Sequence, residues 1–131
     1  METDRTPTLF ERIGGERIAR VIQEFYDRAF ADPIIGHFFH RSDKQALVGL
    51  QTEFATSMLG GLGGYRGRSL ADAHRPVAIR HVHFNRRQVL MAEVLADELN
   101  GEIEQEICLA WLKLEEKLRP RIVNESGECR D

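Results

Sequence analysis

The sequence predicts an all-α protein. Apolar residues recur at three- and four-residue spacing over long stretches, capping residues and Gly or Pro stops bracket those stretches, and no run shows the alternation of a strand. At 131 residues, with 42% apolar and 30% charged content, one domain can bury a core without disulfides or structural metals. Its expected limits are 8–119, between an extension over 1–7 and a polar tail over 120–131.

Thr8-Leu9-Phe10-Glu11 matches a capping box, so a short helix starts there and ends at Gly14-Gly15. Ile18, Val21, Ile22, Phe25 and Ala29 then mark one buried face of a second helix, stopped by Asp32-Pro33. Tyr26, four residues after Ile22, shares that face. Pro33 to Phe39 suits one or two helical turns that bring Phe38 and Phe39 inward. Ser42-Asp43-Lys44-Gln45 reads as a second capping box, opening a helix that buries Leu47, Leu50, Phe54 and Met58 and ends at Gly60-Gly61. Gln51 falls within the same stripe.

Residues 60–68 carry five glycines and no period, hence a loop. Gly61-Leu62-Gly63 does not extend to a dinucleotide fingerprint, because Arg66 stands where the third glycine belongs and no strand precedes it. Ser69 is the expected cap of a short helix carrying His74, which Pro76 disturbs. A long helix from about His83 to Leu99 ends at Asn100-Gly101. The last helix aligns Ile103, Ile107, Trp111, Leu114 and Leu118, and Pro120 stops it, with Asn124 to Asp131 expected to fray.

Composition excludes several classes. No uncharged run approaches the ~20 residues of a membrane span, and Met1-Glu2-Thr3-Asp4-Arg5 lacks a signal peptide's apolar stretch, so a soluble cytoplasmic protein is expected. Cys108 and Cys129 form no scaffold-like pattern. The net charge of −3 argues against a nucleic-acid surface over the whole molecule.

Three residues stand out chemically. A phenol (Tyr26) and an amide (Gln51) on apolar faces need hydrogen-bond partners, which an ordinary core or a polar ligand in a dry pocket would supply. His74 lies nine residues before His83. The five histidines give neither zinc spacing nor Cys-x-x-Cys-His, whereas a planar macrocycle needs only one axial imidazole and an apolar slot. Arg75, Arg80, Arg86 and Arg87 form a basic stretch suited to haem propionates or to a phosphate backbone. Arg87, between Phe84 and Met91 at helical spacing, points inward and must snorkel, pair with an acid or meet an anion.

In this order, Leu9-Phe10-Glu11-Arg12-Ile13-Gly14-Gly15, Phe25-Tyr26, Ala31-Asp32-Pro33, Phe38-Phe39, Gln51 with Phe54, Gly60-Gly61, His74 and His83-Phe84 resemble the truncated haemoglobins, from Thr8 to Leu118. The resemblance implies a two-over-two helical sandwich around haem b, with His74 as proximal iron ligand. It further implies Tyr26 and Gln51 as distal donors to a diatomic gas, Leu47 in place of a distal histidine, Phe39 stacked on the porphyrin, and Phe54 and Phe84 lining it. Arg80 of the basic stretch is assigned to the cofactor. Tyrosine, glutamine and leucine resemble group I; groups II and III usually carry a tryptophan where Arg86-Arg87 stands here. For Arg87 itself, a propionate contact or a charged donor near the ligand is expected.

O2 storage or transport, NO dioxygenation and peroxidase-like turnover would share this pocket. The last two need an external reductase, since the chain contains no flavin or nicotinamide domain. A monomer is expected. The alternative is a cofactor-free helical adaptor that binds an anionic partner through Arg75 to Arg87.

Overall fold

The computed structural model describes residues 6–61, 70–75 and 77–124. Helix α1 spans Leu9–Ile13, where Thr8 Oγ1 accepts from the Glu11 N–H at 3.1 Å and Glu11 Oε1 accepts from the Thr8 N–H at 2.9 Å. Gly14 closes it at φ 93°, a left-handed conformation that a side chain would strain, and α2 runs Gly15–Ala31. Ile18, Val21, Ile22, Phe25, Tyr26 and Ala29 are its buried residues.

The Asp32 carboxylate shapes the chain after α2. Its Oδ2 accepts from the Ile34 and Ile35 N–H groups, and a 3₁₀ turn follows over Gly36–Phe39. Gly36 is required here because a Cβ would lie 2.8 Å from the Phe30 carbonyl oxygen. Helix α3 spans Lys44–Met58 and is capped by Asp43, whose Oδ1 accepts from the Ala46 N–H at 3.1 Å. The expected Ser42 cap is therefore displaced by one residue. Ser42 instead ends the 3₁₀ turn, its N–H donating to Phe39 O.

Helix α4 is Leu70–His74, α5 is His81–Glu98, α6 is Glu102–Glu116 and α7 is Arg119–Ile122. The expected Ser69 cap, Pro76, most of the glycine loop and Cys129 fall outside the described residues. Helix α6 ends before Pro120, which enters the first turn of α7 where its missing N–H costs nothing. The polar tail expected from 120 thus begins as a helix. Asn124, expected to fray, is tied down: its N–H donates to Ile79 O and its Oδ1 accepts from the Ile79 N–H; residues 125–131 fall outside the described residues.

Helices α2 and α3 form one packed pair and α5 and α6 another, with α2 lying against α5. Trp111, Phe25, Ile18, Met91, Val94 and Leu95 fill the space between the pairs. This is the two-over-two all-α sandwich. Helix α4 packs on α7 at one end of it.

Candidate functional site

Side chains of α3 reveal the site. Leu47, Leu50, Phe54 and Met58, expected in the core, are only half-buried, while Val48 and Ala55 are the buried ones. The reason is an adjoining pair of cavities, about 320 and 120 Å³, onto which those four side chains open. Volumes of a few hundred Å³ with apolar walls are typical of small-molecule sites.

Tyr26, Phe39, Leu47, Gln51, His74, Phe84, Arg87 and Ile122 line both cavities. Six of the eight residues assigned to the site from sequence are thereby brought together. Phe54 lines the smaller cavity alone. Arg80 does not reach either wall: it is exposed and caps α5, its N–H donating to His83 Nδ1 at 2.9 Å.

Aromatic packing fixes the Tyr26 wall. The Tyr26 ring meets Phe25 edge-on at 4.8 Å and Phe39 at 5.7 Å, and Phe39 stacks on Phe30 at 5.0 Å. Such edge and offset contacts hold a ring in one orientation. Where His74 lines the cavities, its carbonyl accepts from the Val77 N–H at 3.0 Å and from Asn124 Nδ2 at 2.9 Å. Asn124 Nδ2 also donates to Val77 O. One carboxamide from the end of the chain thus pins the turn that carries the imidazole.

Arg87 satisfies the requirement to meet an acid. Its Nη1 and Nη2 donate to Glu115 Oε1 at 2.8 Å and Oε2 at 3.3 Å, and Nη1 also donates to Gln88. Burial works against the guanidinium's charge, yet Glu115, followed by Tyr26 and Glu116, outweighs it and raises the arginine above its ordinary range. The partner is therefore Glu115, which displaces the expected propionate contact at the end of the guanidinium. Trp111 Nε1 donates to the same carboxylate at 2.9 Å.

The basic stretch is dispersed by its partners. Arg75 pairs with Asp72 at 2.7 Å, Arg86 with the buried Asp32 at 2.7 Å, and Arg87 with Glu115. Among the described residues, three of the four arginines of the stretch thus face a carboxylate of this chain. Sequence reading missed Glu115, although Ile107, Trp111 and Glu115 share one helical stripe and thereby signal a buried carboxylate. It also missed Ile122 and Asn124, for which local sequence gives no signal.

The residues fit haem. Among the described residues no three His, Cys, Asp or Glu side chains converge on one point. A macrocycle that brings its own four nitrogens needs only His74 and apolar walls. The Gln51 amide, facing both cavities, finds no partner among the described residues.

An all-α sandwich whose mostly apolar cavities are lined by His74, Tyr26 and Gln51, with His83 on the larger one, has the make-up of a globin-type pocket. The bacterial-like globin family model matches residues 8–119. A group 1 truncated haemoglobin from Tetrahymena pyriformis is 31% identical over 83 residues, covering 63% of this chain and 69% of the relative. GlbN, a group 1 truncated haemoglobin of Mycolicibacterium paratuberculosis, is 36% identical over 95 residues, covering 72% and 67%. The crystal structure of the T. pyriformis protein in its Fe(III) form superposes with TM-score 0.82 at 26% identity, over 91% of this chain and all of that one. The chain belongs to the group 1 truncated haemoglobins of the bacterial-like globin family. No helix among the described residues is long and apolar enough to cross a membrane.

Proposed function

We propose that this protein binds one haem b through His74 and holds a diatomic gas, O2, NO or CO, on the side of the pocket occupied by Tyr26 and Gln51. Haem, when bound, supplies the iron at which the gas is taken up. The supporting observation is that an imidazole, a phenol and an amide from three different helices line the same apolar cavities.

Each side chain has a distinct task in this reading. His74 presents a ring nitrogen, its turn steadied by Asn124. Tyr26 and Gln51 donate hydrogen bonds to the partial negative charge on a polarised ligand, where exclusion of water makes such bonds strong. Phe39, Leu47, Phe54 and Phe84 exclude water and support the macrocycle, and the exposed Arg80 pairs with a propionate.

Absorption spectra of the purified, haem-supplemented protein test the proposal. A Soret band that moves on reduction and again with CO is expected, and a His74→Gly variant should lose the native spectrum and recover it with added imidazole. A native iron coordination that survives in His74→Gly would refute the assignment.

A further inference from the structure

A guanidinium has five N–H donors in a planar fork, and contacts within the protein account for three of those of Arg87. Its end, formed by Nη1 and Nη2, faces Glu115, and Nη1 also meets Gln88. The side edge, formed by Nε–H and the remaining Nη2–H, has no acceptor among the described residues. Two parallel N–H groups on one edge match two oxygens of one planar anion.

The position of Arg87 narrows what fits that edge. Arg87 lines the same two cavities as Tyr26 and Gln51. Its guanidinium carbon stands 4.8 Å from the Phe25 ring centroid and 5.8 Å from that of Phe84, and the side chain is 24% exposed. Glu115, held in turn by Trp111, keeps the charge in place. We propose that the side edge of Arg87 is a binding site for a small planar oxyanion of the nitrite or formate type, inside the cavity that Tyr26 and Gln51 line. The proposal rests on the reading that this cavity holds haem.

A haem propionate carries the same carboxylate chemistry and is the other source of such an anion. The free anion is favoured because Arg87 stands beside the buried Phe25–Tyr26 pair, whereas a propionate is best solvated in water, where Arg75 and Arg80 are exposed.

Soret titration of the ferric, haem-reconstituted protein with sodium nitrite and sodium formate tests this, with imidazole as a neutral ligand for comparison. In an Arg87→Gln/Glu115→Gln double variant a neutral amide pair replaces the ion pair, so no buried charge is left alone. Both anions are expected to bind it at least tenfold more weakly, while its imidazole affinity, and the CO affinity of its reduced form, stay within threefold of the parent. Arg87→Lys keeps a cation for Glu115 but loses the fork, and is expected to lie between; it supplies the comparison if the double variant does not retain haem. Equal nitrite and formate affinity in parent and variants overturns the proposal. Repeating the titration with iron protoporphyrin dimethyl ester separates the two sources. Persistence of the Arg87 dependence supports the free-anion site; a variant effect confined to retention of native haem assigns the edge to a propionate and overturns it. A parent that gives no Soret band with haem refutes the haem reading instead, and this site with it.

Discussion

Glu115 closes on the end of the Arg87 guanidinium with both carboxylate oxygens, and Trp111 holds that carboxylate from behind at 2.9 Å. Glu115 is only 4% exposed, so truncating it strands a cation beside two aromatic rings. Loss of one member of a buried pair costs about 3 kcal/mol. We expect Glu115→Ala to show that loss in urea unfolding, and Glu115→Gln, which fills the space and keeps one acceptor oxygen but leaves the guanidinium without a counter-charge, to lose somewhat less.

Tyr26 is held by its aromatic neighbours at the cavity wall, so its replacement by phenylalanine preserves the packing and removes only the hydroxyl. Tyr26→Phe is expected to speed O2 dissociation tenfold or more, equivalent to about 1.4 kcal/mol of lost hydrogen bonding. Stopped-flow displacement of O2 by CO measures it. An unchanged rate would mean that the phenol does not touch the ligand.

Arg86, with support from the Ile35 and Ile34 amides, holds the Asp32 carboxyl below its ordinary range even though burial pushes it upward. A depressed folded-state value contributes stability that is complete above the unfolded value, about 3.9, and is lost as pH falls through the folded one. Acid unfolding of the parent should therefore steepen below about pH 4. Asp32→Asn removes this group's titration and should flatten that limb while lowering stability at neutral pH, as circular dichroism across a pH series would show.

Asn124 spans from the chain's end to the His74 carbonyl, a separation of 50 residues. Because the amide is exposed, its hydrogen bonds compete with water and contribute about 1 kcal/mol in stability. The larger expected consequence is on the imidazole wall. Asn124→Ala should release haem to an apoprotein scavenger severalfold faster than the parent, with its thermal midpoint lowered by only a few degrees.

Much of the fold was legible in the order of residues. The Thr8–Glu11 capping box, the stripe from Ile18 to Ala29 and the Asp32-Pro33 stop depend on neighbours three or four positions away, and those distances are set by the helix itself. The same periodicity exposed Tyr26, Gln51 and Arg87 as polar groups on apolar faces. It erred where a neighbour further along decided the outcome. Leu47 and Phe54 read as core because spacing does not distinguish a wall facing side chains from a wall facing a cavity.

Residue order alone determined that the chain is helical, where most helices begin and end, and which polar side chains lie on inward faces. Only tertiary packing decided that Arg87 meets Glu115, that Asp32 takes Arg86 across 54 residues, and that Asn124 steadies His74. Local patterns specify dihedral angles and the facing of each side chain. Partners between helices depend on how those helices cross, and that crossing is fixed by the whole buried core at once.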